Sequence, residues 1–223
     1  MTAAAPIPTA IILAAGAGSR LRDFAPVKPL VDVGGRALIL HAIAALKAAG
    51  VGHVAVVVGY QADRIAAALA DAPLPVTLVD NPRWADTPNG VSLLAARDHV
   101  QAGSLLMMAD HLLSGALVAR LVAGAARPLA LAVDRRLGHP WVDEADVTRV
   151  RTEAGAITAI GKHLAVYDCY DTGLFRIGPE LVAALEGLPS PGLSEGVSVL
   201  ARAGLAQAVD IGDAPWLDVD DAS

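Results

Sequence analysis

Short, strongly apolar runs recur at residues 10–14, 53–58, 76–79, 104–108 and 129–133, and amphipathic segments follow them. This alternation constrains the fold more than any other feature, because parallel strands need a long crossover and a helix is the usual one. The expectation is an α/β chain with a Rossmann-like, three-layer, mainly parallel sheet. Residues 37–49 show the helical period, with Ile39, Ile43 and Leu46 on one face, Lys47 in the last turn and Gly50 at the C-terminal cap position. Ile65 and Leu69 form a similar stripe. After Asp134 the pattern changes: residues 147–151 and 156–160 flank Glu153-Ala154-Gly155, which reads as a β-hairpin inserted late, and residues 171–177 read as a return to the sheet. With 223 residues and no repeat, linker or low-complexity tract, one domain over residues 1–223 is expected.

Charged residues make up 18% of the chain and apolar residues 54%, the balance of a compact soluble protein. A net charge of -6 excludes a general nucleic-acid binder, which needs clustered Lys and Arg. Any phosphate must therefore be handled locally. The one cysteine, Cys169, cannot close an internal disulfide, which fits a cytoplasmic location. It reads as a buried small apolar residue rather than a nucleophile. Thr2 to Ser19 carry no charge, but no basic residue precedes them and Pro6 and Pro8 interrupt them, so they are not read as a secretory leader. No segment has the roughly 20 apolar residues of a bilayer span, and no membrane insertion is expected. The six histidines show no metal-ligand spacing and are read as structural.

The first apolar run leads into Leu13-Ala14-Ala15-Gly16-Ala17-Gly18-Ser19-Arg20-Leu21, with Lys28-Pro29-Leu30 close behind. Leu21 stands where a dinucleotide fingerprint needs its third glycine, and the phosphate loop ending in Gly-Lys-Ser/Thr is also missing. What remains is a strand end and a loop of small residues whose backbone N–H groups face a ligand, with Arg20 and Lys28 as cations. That is chemistry for a triphosphate, and equally that of a tight turn with two surface cations. Asn89-Gly90-Val91-Ser92 lies before a helical stretch at residues 92–99 and, taken alone, is a turn with a helix cap. Asp110 follows the run 104–109, at the carboxyl end of a strand, where open α/β sheets bind ligands. Asp218 and Asp220 in Trp216-Leu217-Asp218-Val219-Asp220 share one face of an extended segment. Mg²⁺ takes oxygen ligands, often one or two carboxylates with substrate phosphates, so Asp110 with Asp218 or Asp220 makes a sensible site.

The run Leu-Ala-Ala-Gly-x-Gly-Ser-Arg-Leu followed by Lys-Pro-Leu resembles the signature of nucleoside-triphosphate sugar-phosphate nucleotidyltransferases, which have the nucleotide-diphospho-sugar transferase fold. The stretch from Trp141 through Asp143, the hairpin ending Ile160-Gly161-Lys162, Tyr167 to Gly173 and Met108-Ala109-Asp110-His111 are together similar to inositol-1-phosphate cytidylyltransferases. Such domains are often fused to a membrane-bound CDP-alcohol phosphotransferase, to which this chain's resemblance does not extend.

The resemblance implies transfer of a cytidylyl group from CTP to inositol 1-phosphate, giving CDP-inositol and pyrophosphate with Mg²⁺ as cofactor. It places the nucleotide on Leu13, Ala14, Ala15, Gly16, Gly18, Ser19, Arg20 and Lys28, with the base near Asn89, Gly90 and Ser92. The acceptor falls to Asp143, Lys162, Asp171, Thr172 and Gly173, the metal to Asp110, Asp218 and Asp220, and the catalytic charges to Lys28, Arg20 and Lys162. Phosphocholine or a hexose 1-phosphate as acceptor, or a nucleotide-binding regulatory subunit without turnover, are the other readings.

Overall fold

The computed structural model describes residues 9–17 and 27–219. Its main sheet has the strand order β3-β2-β1-β4-β9-β6-β10-β8-β7, formed by β1 (Ala10–Leu13), β2 (Val54–Val58), β3 (Val76–Asp80), β4 (Ser104–Met108), β6 (Leu129–Asp134), β7 (Arg149–Glu153), β8 (Ala156–Gly161), β9 (Cys169–Ile177) and β10 (Ala206–Asp210). Strands β1 to β4 are mutually parallel, and β9 runs antiparallel between β4 and β6. The expected hairpin is β7 and β8, and β7 also pairs with the start of β9. A separate ribbon joins β5 (His111–Leu113) to β11 (Trp216–Asp218).

Every residue of β1 and β2 is buried, as expected of parallel strands covered on both faces. Alternate side chains supply the two cores. Ile12, Val56 and Met107 share one with Ile39 and Ile43 of helix α1 (Leu38–Ala48), Ile65 of α2 (Ala62–Leu69) and Leu117 of α4 (Gly115–Gly124). Ile11, Leu106 and Leu131 share the other with Leu93 of α3 (Asn89–Ala95), Leu181 of α5 (Pro179–Glu186) and Val197 of α6 (Leu193–Arg202). Full burial of each such aliphatic chain is worth about 2 kcal/mol, so both faces of the sheet are firmly clad. Among the described residues no helix is long and apolar enough to cross a membrane.

Two local expectations are corrected. The helix anticipated at 92–99 begins earlier and breaks sooner: Pro88 is its N-terminal cap, Asn89 and Gly90 form its first turn, and Arg97–His99 is a separate 3-10 turn. The reason is tertiary. A Cβ at Gly90 would lie 2.4 Å from the Pro191 carbonyl oxygen, so glycine lets α3 press against the chain leading into α6. Asn89 Oδ1 accepts the Leu193 N–H at 3.0 Å, tying the two helix starts together. The final return strand, in turn, starts at Cys169 rather than 171. Gly90→Ala is expected to lower stability by about 1–3 kcal/mol, the scale of an overpacked contact, and urea denaturation measures it. An unchanged midpoint would contradict the contact.

Candidate active site

Strands β2 and β3 extend from one side of β1, and β4 lies on the other. The strand order thus reverses at β1, and a crevice opens beyond the carboxyl ends of β1 and β4. Beyond β1 the backbone is pinned: Leu13 carbonyl accepts the Ala109 N–H at 3.1 Å, Ala14 N–H donates to Val57 at 2.8 Å, and Ala15 carbonyl accepts the Tyr60 N–H at 3.0 Å. Gly16 is exposed, with open space where a side chain would be. Gly18, Ser19, Arg20 and Asp220 lie outside the described residues.

Beyond β4 stands Asp110. Lys28, on a single 3-10 turn (Lys28–Leu30), is only 7% exposed and donates from Nζ to Asp110 Oδ2 at 2.9 Å and to Asp218 Oδ1 at 3.4 Å. His111 Nδ1 lies 2.7 Å from Asp110 Oδ1, and its Nε2 lies 3.8 Å from Asp218 Oδ2. Residues over a hundred positions apart meet because β11 runs antiparallel to β5 and pairs Asp218 with His111. The Val219 N–H then closes on the Asp110 carbonyl at 3.0 Å. Trp216 anchors the ribbon: its indole N–H donates to the buried Asp134 at 2.7 Å, and its ring stacks near the His111 imidazole at 6.1 Å and 12°.

Burial alone would raise the Asp110 carboxyl, but the neighbouring His111 and Lys28 hold it far below the carboxylate range. Burial likewise opposes the imidazolium, yet Asp110, Asp218 and Asp171 raise His111 to about 9. Asp171 moves up to about 6 because burial outweighs help from the Gly173 N–H and His111. Ligand atoms of Asp110, His111 and Asp218 all lie within 4.8 Å of one another. Two converging carboxylates suit a hard divalent cation completed by phosphate oxygens, so the donor set fits Mg²⁺.

A pocket of about 450 Å³ runs from this cluster toward the hairpin. Asp143, Asp146, Lys162, Asp171 and Gly173 line it. Lys162 Nζ donates to Asp146 at 2.6 Å, Asp143 accepts the Ala145 N–H at 2.8 Å, and Asp171 accepts the Gly173 N–H at 2.7 Å. Tyr170 holds the loop bearing Asp143, donating to Glu144 and accepting the Gly138 N–H at 3.0 Å.

Not every residue assigned from the sequence reaches the pocket. Strand alternation turns Thr172 away from Asp171 and Gly173, and its buried hydroxyl donates to the Ala132 carbonyl at 2.9 Å. Ser92 is buried inside α3, where its hydroxyl accepts from Asn81 at 3.0 Å, whereas Asn89 lines the pocket. Conversely, His111, which sequence spacing alone marks as structural, stands in the cluster. Its signal was adjacency to Asp110 at a strand end. Gly173 belongs with it: a Cβ there would lie 2.8 Å from the imidazole, and its φ of +73° is one that glycine adopts without strain. Cys169 is buried and its thiol is pushed up to about 12, which removes it as a nucleophile.

A family model described as the MobA-like NTP transferase domain matches residues 10–163. The chain belongs to that family. It is 37% identical to the "Bifunctional IPC transferase and DIPP synthase" of Rubrobacter xylanophilus over 95% of this chain and 49% of that protein. The Archaeoglobus fulgidus protein of the same name is 36% identical over 80% of this chain and 34% of its own length. The chain therefore spans about half, or less, of the relatives it matches. Among solved structures, the inositol-1-phosphate CTP transferase from T. maritima superposes with a TM-score of 0.88 at 24% identity, over 98% of this chain and 91% of that one. A UDP-glucose pyrophosphorylase complexed with UDP-glucose gives 0.79 at 14%, over 96% and 94%. The α/β fold expected from the sequence is thus the fold observed, shared with this MobA-like group and with sugar-nucleotide enzymes.

A histidine stabilised as imidazolium in the folded state contributes stability that is complete below about 6.5 and lost as the pH rises through about 9. In the metal-free protein the His111 imidazole is expected to titrate near 9 by NMR, and melting temperature should fall across that window. An imidazole midpoint near 6.5 would contradict the cluster's electrostatics.

Proposed function

We propose that the chain transfers a cytidylyl group from CTP to inositol 1-phosphate, giving CDP-inositol and pyrophosphate in an Mg²⁺-dependent reaction. The observation that carries this reading is the convergence of Lys28, Asp110 and Asp218 at the sheet's switch point, beside a pocket walled by Asp143, Asp146, Lys162 and Asp171. The names of the relatives and of the superposable T. maritima transferase support the choice of nucleotide and acceptor.

The step is a single in-line displacement. An acceptor phosphate oxygen attacks the α-phosphorus of CTP, the new P–O bond forms, and the bond from the α-phosphorus to the bridging oxygen breaks with pyrophosphate leaving. No strong general base is needed, because a phosphate monoester with a second pKa of about 6 is largely dianionic at neutral pH. Catalysis then rests on positioning and on neutralising charge. Lys28 directs its ammonium at the α-phosphate, and Arg20 neutralises the triphosphate from the glycine loop. Lys162 reaches the acceptor phosphate from the hairpin, leaving Asp146. Asp143 and Asp171 accept hydrogen bonds from ring hydroxyls, a chemistry suited to a neutral polyol. Asn89 meets the cytosine, and Ser92 steadies it indirectly by fixing α3. Mg²⁺ bound by Asp110 with Asp218 or Asp220 would supply charge neutralisation for the triphosphate and the leaving pyrophosphate.

Pyrophosphate release across the four NTPs, each with inositol 1-phosphate, phosphocholine, glucose 1-phosphate or no acceptor, tests the reading. CTP with inositol 1-phosphate is expected to give the highest kcat/KM. A higher value for another pair would replace the substrate, and no release with any pair would favour a regulatory subunit. Lys28→Ala should cut kcat by about a hundredfold or more, because its charge acts mainly in the transition state. Normal kcat with only a raised KM would make Lys28 a ground-state binder.

A further inference from the structure

Among the described residues, both acids of the cluster face the same two basic groups, Lys28 and His111. Asp110 presents Oδ2 to Lys28 and Oδ1 to His111, and Asp218 presents Oδ1 to Lys28 and Oδ2 to His111. All four carboxylate oxygens are thus engaged by basic groups. A divalent cation drawn to both acids would compete for the oxygens that the ammonium bridges and would repel it.

The two basic residues differ in what holds them. The His111 backbone is paired to Asp218 itself in the β5–β11 ribbon. Its ring stacks near Trp216, which is tied to Asp134, and lies where a Cβ on Gly173 would collide. In either charge state its Nδ1–H can donate to Asp110, since a carboxylate only accepts. Lys28 bears its charge at the end of a flexible four-carbon stem, on a single 3-10 turn. Yet an ammonium so enclosed leaves its carboxylates only when another anion replaces them, because an unpaired buried charge is costly. A nucleoside triphosphate in the crevice is such an anion.

Building on the metal reading above, we propose that His111 is a fixed positioning residue that keeps Asp110 and Asp218 paired, while Lys28 is an exchangeable cation whose transfer to the nucleotide opens both acids to a divalent metal. Nucleotide and metal binding are then coupled through Lys28. The coupling is reciprocal: the nucleotide tightens metal binding by the same factor as the metal tightens nucleotide binding.

Mn²⁺ binding to the full chain, followed by EPR without acceptor and corrected with a CTP-only blank, tests this away from turnover. For the unaltered protein, CTP is expected to tighten Mn²⁺ by about tenfold or more. Lys28→Met should tighten Mn²⁺ binding to the nucleotide-free protein by a similar factor and reduce the CTP effect, and Lys28→Gln should do the same if the Met variant does not fold. His111→Leu should weaken Mn²⁺ binding with and without CTP. His111→Asn, which can still donate to Asp110, should restore much of it. Equal affinity with and without CTP, or no tightening in either foldable Lys28 variant, would overturn the exchange while leaving the metal site standing. Unchanged Mn²⁺ binding in His111→Leu would overturn the positioning role. No Mn²⁺ binding by the unaltered protein in any arm would overturn the metal reading and the inference together.

Discussion

The bridge from Lys28 to Asp110 and Asp218 is the interaction around which the site is organised. Lys28, only 7% exposed, is tolerable where it stands because carboxylates compensate its charge, and Asp110 comes from the middle of the chain whereas Asp218 comes from the end of the described residues. One lies just beyond β4 and the other closes the β5–β11 ribbon. The sheet's switch point fixes the first, and the Trp216 to Asp134 hydrogen bond fixes the second. Water reaches both acids, whose side chains are 28% and 34% exposed, so the ion pairs tune the cluster while the backbone pairing of β5 with β11 and the Trp216 anchor hold the ribbon.

That arrangement suits phosphoryl chemistry for a reason of economy. A displacement at phosphorus needs little covalent help, and what it needs is fixed positive charge near a negatively charged path. The cluster stores such charge in a neutralised form when no anion is present, with Lys28 and His111 set against Asp110 and Asp218. Elsewhere in the pocket lining Lys162 is paired in the same way to Asp146. In the proposed reaction each lysine exchanges its carboxylate partner for a substrate phosphate.

Much of this was legible in the sequence because it depends on short-range pattern. Buried parallel strands read as continuous apolar runs, and the loop after β1 and the acid after β4 follow from where strands end. The hairpin was visible from its two β-rich segments around Glu153-Ala154-Gly155. What escaped depends on facing and on distant partners. Thr172 lies between two pocket residues in sequence, and strand alternation alone sends its hydroxyl to Ala132. Ser92 looked like a cap until Gly90 allowed α3 to start three residues sooner. His111 had no second histidine at ligand spacing, and its role is set by Asp218 and Gly173, far away in the chain. Trp216 gave no sign that its indole N–H would meet a buried aspartate.

In the proposed site, Asp110 and Asp218 together bind one cation, and Lys28 gives way to it when nucleotide is bound. Anomalous diffraction at the manganese edge from crystals grown with CTP and Mn²⁺ tests it directly. The expected result is a manganese peak shared by the Asp110 and Asp218 carboxylates, with Lys28 Nζ moved off Asp110 onto a phosphate oxygen. A manganese peak remote from both acids, with Lys28 still bridging them beside bound CTP, would contradict it.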